Sequence, residues 1–220
     1  MAIDGPVGAG KSSIASQVAQ RLNIPHLDTG AMYRASGYLA LEAHVNIENE
    51  KEVEEFMKNC SIHVVLTPLG QQVIGNGKDV TDKIRSPEVS MAASSISKWP
   101  IVRKKMVEIQ QKIAQKESIV LDGRDIGTRV LPFATAKIFL TATPQERASR
   151  RYKELKSKGI HESYEQVLKE LEARDLQDST REVDPLKAAE DAIIVDTTEL
   201  NQEQVVQVIL TIVEEKYGRQ

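Results

Sequence analysis

The run Gly5-Pro6-Val7-Gly8-Ala9-Gly10-Lys11-Ser12 satisfies G-x-x-x-x-G-K-[ST] in full, and no other feature restricts the fold of this chain so strongly. It follows the apolar pair Ala2 and Ile3 and precedes a helix-period segment, so strand, loop and helix are expected in register. The residue types answer to one chemistry. Glycines let the backbone curl until its N–H groups converge on phosphate oxygens, and the N-terminus of the following helix adds a favourable dipole. Lys11 has the reach for β- and γ-phosphates, the Ser12 hydroxyl suits Mg²⁺, and Ser13 closes the set expected to hold a nucleoside triphosphate.

Short apolar runs alternate with helix-period segments along the rest of the chain, the pattern of an α/β fold with a parallel sheet. Core strands are expected at residues 1–4, 25–27, 118–122, 137–140 and 192–195, and helices at 11–22, 31–42, 100–116 and 201–216. Val102, Met106, Ile109 and Ile113 mark one face of the third helix; Val205, Val208, Ile209, Ile212 and Val213 mark one face of the last. Residues 62–80 break the alternation. Turn signals at Pro68-Leu69-Gly70 and Gly75-Asn76-Gly77 predict a small antiparallel insert there. Residues 143–156 open with Thr143, Pro144 and Glu146, an N-cap, an N1 proline and a capping-box acid. A second helix after Gly159 carries Tyr164, Val167, Leu168 and Leu171, and the polar turn at 156–163 makes the two a hairpin able to serve as a lid.

Composition excludes several classes. With 220 residues the chain can bury one core with accessory lobes. A formal net charge of −3 argues against bulk binding to nucleic acid or a membrane surface, so any anionic ligand needs a local cluster of positive charge. The scattered histidines His26, His44, His63 and His161 lack metal-ligand spacing. Cys60 stands alone and cannot form an internal disulfide; with no export signal and no apolar run of the roughly 18–20 residues a span needs, the cytoplasm is the expected compartment. No helix is apolar all round, which predicts a monomer.

A switch GTPase would carry the guanine-reading N-K-x-D, and Asn76-Gly77-Lys78-Asp79 has the wrong order. Phosphoryl transfer to a small anionic acceptor predicts arginines from separate segments instead, and they are present. Arg34, Arg85, Arg103 and Arg124 lie on different elements. Arg147, Arg150 and Arg151 share one helical face, and Arg174, Asp178 and Arg181, spaced i, i+4, i+7, share another if the second helix persists as far as Arg181. Like charge on the first of these faces predicts a hairpin held open until phosphates arrive.

Four blocks carry a family resemblance: Gly5 to Ser13, Asp28-Thr29-Gly30-Ala31-Met32-Tyr33-Arg34, Asp122-Gly123-Arg124-Asp125-Ile126-Gly127-Thr128, and Ala173-Arg174-Asp175 through Arg181. Together they resemble the bacterial cytidylate kinases, within the P-loop nucleoside monophosphate kinases, from one end of the chain to the other. The resemblance implies a single domain over 1–220: a five-stranded parallel sheet flanked by helices (1–28, 118–142, 182–220), an NMP-binding lobe (29–117) containing the β insert, and a lid (143–181). Arg129 departs from the apolar residue usual at its position. By resemblance Lys11, Arg147 and Arg151 are catalytic, and Asp122 holds the waters of a Mg²⁺ bound by Ser12. Thr29, Arg34, Ser94, Arg103, Arg124, Asp125, Arg174, Asp178 and Arg181 meet CMP. The substrates implied are ATP and CMP or dCMP. UMP as the acceptor, or a nucleotide-dependent binding module without turnover, are the alternatives.

Overall fold

The computed structural model describes residues 1–67 and 70–217. In chain order these form β1 (Ala2–Asp4), α1 (Lys11–Leu22), β2 (His26–Asp28), α2 (Thr29–Glu42), α3 (Glu50–Asn59), β3 (Ile62–Thr67), β4 (Gly70–Gly75), β5 (Lys78–Asp79), α4 (Pro87–Ile96), α5 (Pro100–Ala114), β6 (Val120–Gly123), β7 (Lys137–Thr141), α6 (Pro144–Ser157), α7 (Tyr164–Thr180), β8 (Ile193–Asp196) and α8 (Gln202–Tyr217). The main sheet has five strands in the order β2-β6-β1-β7-β8, the parallel α/β sheet the sequence predicts. Its apolar runs are continuous because both faces are covered: Ala2, Ile3, Val120, Leu121, Ile138 and Leu140 are fully buried.

The chain divides into two compact units, Met1–Leu22 with Asp122–Gln220, and Asn23–Leu121. In the first, β1 pairs parallel with β7 and β7 with β8, so that Ile3 stands opposite Ile138 and Ile138 opposite Ile193. Helix α8 is tied to α1 by an Arg21–Glu203 ion pair at 2.9 Å. It buries Val205, Val206, Ile209 and Val213 and leaves Val208 38 % exposed. The expected face is corrected here. Apolar residues crowd α8 closely enough to allow two overlapping stripes, and packing selects the one through Val206.

The hairpin α6–α7 forms as predicted. The Thr143 hydroxyl accepts the Glu146 N–H at 3.3 Å and the Ser163 hydroxyl accepts the Gln166 N–H at 3.1 Å, capping the two helices. Ala148, Leu155, Val167 and Leu171 make a small core between them, with Val7 of the phosphate loop packed against it.

In the second unit, β3, β4 and β5 form the antiparallel insert, with Ile62 opposite Gly75 and Ile74 opposite Asp79. Its second turn uses Asn76 and Gly77, both at positive φ, as a tight hairpin requires. Of the first expected turn, Pro68 and Leu69 lie outside the described residues. Helices α3 and α4 are additions to the sequence-based scheme. Only Val53 and Met57 of α3 are buried, too sparse a pattern to give a period. Helix α4 buries small residues against α2, where a Cβ on Gly37 would lie 2.7 Å from the Ala93 nitrogen. The buried face of α5 also differs. It runs through Val102, Arg103, Met106, Val107 and Gln110, because two long polar side chains are drawn inside, while Ile109 and Ile113 stay partly exposed.

Candidate active site

Residues 5–10 carry the chain from the end of β1 to the first turn of α1, and the loop fits only because of its glycines. Gly5 has φ +149°, and a Cβ there would sit 2.1 Å from the Leu140 carbonyl oxygen on β7. Gly8 has φ +75°, with Arg147 of α6 and Leu171 of α7 in close contact at the place a Cβ would occupy. Lys11 opens α1 but does not point at solvent. Its side chain is buried, and Nζ donates to the Pro6 carbonyl at 2.7 Å. Burial, and after it the positive charge of Arg124, push the Lys11 ammonium well below the usual lysine range. An anionic ligand in the loop reverses that imbalance. Ser12, at the exposed start of the same helix, donates its hydroxyl to Asp122 Oδ2 at 2.7 Å. The pair is an oxygen-donor set of the hard kind that suits Mg²⁺.

The carboxyl ends of β1 and β6 bring three aspartates, Asp4, Asp122 and Asp125, to one place, where α/β sheets hold ligands. Asp178 of α7 accepts from Arg124 Nε at 2.8 Å and lies 3.6 Å from Arg181 Nη1. Burial opposes its ionisation, yet Arg124, then Arg174 and Arg181, hold its carboxyl below the ordinary range. Asp125 is buried and stands 3.6 Å from Arg181 Nη2. The exposed Arg129 pairs instead with Asp184 at 3.6 Å. Arg124, Arg174, Asp178, Arg181 and Asp125, separated by up to 57 positions in sequence, thus form one network of alternating charge in the first unit.

Asp4, which the sequence reading left without a role, anchors that network. Its carboxylate accepts the Ile126 N–H at 2.8 Å and the Gly127 N–H at 2.7 Å, fixing the π-helical turn at Ile126–Val130 directly after Asp125. Burial pushes the Asp4 carboxyl from 3.8 up to about 6, against the pull of those two N–H groups. The folded state therefore disfavours the charged form, so the contribution of this group is complete below the unfolded pKa and is lost as pH rises through about 6. Substituting Asp4→Asn removes the titration. Urea unfolding at pH 4 and pH 7 is expected to show the stability difference between the two proteins moving by on the order of 3 kcal/mol in the variant's favour at the higher pH. A difference that stays constant would return Asp4 to an ordinary pKa.

The three arginines of α6 do not act as a bare positive face. Arg147 is buried, donates from Nε to the Ala142 carbonyl at 3.0 Å and from Nη1 to the Val7 carbonyl at 2.9 Å, and pairs with Asp175 at 2.6 Å. Arg150 is held by Glu146 at 2.9 Å and by Thr197. Arg151 pairs with Glu154 at 2.9 Å and keeps about a third of its side chain exposed. The expected like-charge repulsion is corrected: each guanidinium already has a carboxylate partner. Asp175 is the residue that sequence reasoning quoted but gave no task.

In the second unit, Asp28 caps α2 by accepting the Ala31 N–H at 3.1 Å and pairs with Arg34 at 2.7 Å. Burial would raise its pKa, but the Arg34 charge prevails and lowers it. Gln71 of the β insert grips the Asp28 backbone at both its N–H (2.7 Å) and its carbonyl (3.0 Å). Thr29 is buried beside this cap. Ser94 lies on α4, accepting at its carbonyl from the Ser97 hydroxyl at 2.8 Å. Arg103 is almost fully buried on α5 with its guanidinium 5.6 Å from the Tyr33 ring centre. No helix among the described residues is long and apolar enough to cross a membrane.

A parallel sheet with a glycine-rich phosphate loop, a paired serine and aspartate, and an arginine network on one unit defines a P-loop phosphotransferase. The chain belongs to the cytidylate kinase family, whose profile matches residues 1–215. A cytidylate kinase of Caldicellulosiruptor saccharolyticus is 50 % identical over 96 % of this chain and 93 % of its own length. Those of Bacillus velezensis and Bacillus subtilis are 50 % and 47 % identical, each over 98 % of this chain and 96 % of their own. The chain is therefore an enzyme, a kinase that phosphorylates a nucleoside monophosphate with ATP.

Proposed function

We propose that the enzyme transfers the γ-phosphate of ATP to CMP, and to dCMP, giving CDP or dCDP and ADP in the cytoplasm. The observation that carries this reading is Asp125, a buried carboxylate set beside the Arg124–Asp178–Arg181 network. Arginines suit the phosphate of the acceptor, and a carboxylate accepts from the N4 amine of cytosine while opposing the uracil carbonyl. On this reading Arg34, Arg124 and Arg181 hold the acceptor phosphate. Ser94, Arg103 and Asp125 read the base, Arg174 and Asp178 take the sugar, and Thr29 lines the acceptor site. The chain then works as one catalytic domain, with residues 29–117 as the acceptor lobe and 143–181 as the lid.

The acceptor phosphate has a second pKa near 6, by analogy with phosphoserine, and is mostly dianionic at neutral pH. No side-chain base is required, and the residues act by positioning and charge neutralisation. Lys11 and the loop N–H groups bind the donor phosphates. Ser12 and Asp122 would hold Mg²⁺, which supplies neutralising charge on those phosphates when bound. Arg151, the more accessible of the two catalytic lid arginines, reorients to the transferring group, and Arg147 borders the loop.

ATP consumption measured with CMP, UMP and AMP added separately tests the proposal. CMP is expected to support a kcat/KM at least about tenfold above UMP, the size of one lost hydrogen bond. UMP or AMP in first place would move the acceptor, and consumption indifferent to all three would replace transfer by a binding or switch role.

A further inference from the structure

The loop residue Val7 is gripped at both of its backbone polar groups by the hairpin. Asp175 Oδ1 accepts the Val7 N–H at 3.3 Å, and Arg147 Nη1 donates to the Val7 carbonyl at 2.9 Å. The same Arg147 nitrogen pairs with Asp175 Oδ2 at 2.6 Å, which closes a ring of three contacts. Arg147 is 4 % exposed, so its guanidinium is locked in one orientation by this ring and by the Ala142 carbonyl. The carboxylate is the only charged member of the ring that can oppose it. Buried charge without a partner is costly, so the orientation of Arg147 depends on Asp175.

We infer that Asp175 is a positioning residue for the ATP side of the reaction, acting through Arg147 on the phosphate loop. It rests on the reading of the chain as an ATP-dependent kinase, not on which monophosphate accepts. The carboxylate fixes Arg147 against Val7, Arg147 and Leu171 close on Gly8, and the loop is thereby braced from the hairpin side before donor binding. Helix α7 carries Arg174 and Asp178 beside Asp175, so one helix both braces the donor loop and presents acceptor-side charge.

The test is a double-mutant cycle on kcat/KM for ATP, read with whichever monophosphate the wild-type enzyme accepts best. Asp175→Asn keeps the shape and an oxygen for Val7 but removes the charge facing Arg147. It is expected to raise KM for ATP about tenfold and leave KM for the acceptor within about twofold. Arg147→Lys keeps charge and loses the planar fork, and Asp175→Asn added to it is expected to cost less than about twofold more. Asp175→Glu restores the carboxylate and is expected to recover most of the loss. Multiplying losses, equal rises in both KM values, an unchanged Asp175→Asn enzyme, or a Glu variant no better than Asn would each overturn the assignment. Should Asp175→Asn fail to fold, the Glu variant decides alone: KM for ATP within about threefold of wild type with an unchanged melting curve upholds it, and a loss confined to the acceptor KM refutes it. If CMP fails as acceptor while this cycle behaves as stated, only the acceptor assignment falls.

Discussion

Lys11→Ala is expected to lower kcat by about a hundredfold or more while the protein still folds. The ammonium is buried, donates to the Pro6 carbonyl at 2.7 Å, and is held at a depressed pKa by burial and by Arg124. A charge kept in such a place favours negative partners, and on the proposed reading the donor phosphates supply them most fully as charge moves during transfer. Loss of one such transition-state contact is worth on the order of 3 kcal/mol. Alanine removes the donor to Pro6 along with the charge, yet the loop remains pinned by Val7 and by the close approach of Gly5 to Leu140. Steady-state kinetics paired with a thermal melt separates the two effects. A folded variant with more than half the wild-type rate would remove Lys11 from the phosphate site.

Asp125→Asn is expected to turn the acceptor preference toward UMP. Asp125 sits with little exposure at the end of β6, its turn pinned by Asp4 through the N–H groups of Ile126 and Gly127, so the side chain has little room to drift. An amide there can rotate to donate to the uracil carbonyl where the carboxylate repelled it. On the proposed reading Asp125 makes a charge-assisted bond to cytosine, and a bond of that kind is worth about 1.5–3 kcal/mol, so kcat/KM for CMP should fall roughly tenfold to a hundredfold while that for UMP holds or rises. Both acceptors are assayed on both proteins. Equal losses would place Asp125 in folding or the chemical step, and no change on either would put base recognition elsewhere.

Local pattern made part of this readable in advance. The strand–loop–helix at residues 2–22, the hairpin capped by Thr143, and the insert with its Asn76-Gly77 turn are all set by neighbours in sequence, and each forms where the pattern puts it. Helix α3 escaped because only Val53 and Met57 face inward, although Asn49 and Glu52 already spell a cap. Helix α4 escaped because its contact with α2 depends on Gly37 and small alanines rather than on a bold stripe. At the site, motif spacing singled out Lys11 and Ser12 and the family resemblance added Asp122, but partners such as Asp4 with Ile126 lie 122 positions apart, and no periodicity reports such a meeting. The arginines of α6 show the same limit. Their common face was visible, whereas the carboxylate answering Arg147 comes from another helix and required the fold.

The approach of Gly5 to the Leu140 carbonyl bears on how inactive variants of this enzyme should be sorted. A methyl group at position 5 would strike the main chain of a central strand, so every other residue there injures the sheet before any nucleotide is met. A mutational survey scored by growth or turnover would rank position 5 beside Lys11 as indispensable. Scored by the amount of folded protein, the two would part: position 5 would fall among the architectural lesions and Lys11 would not.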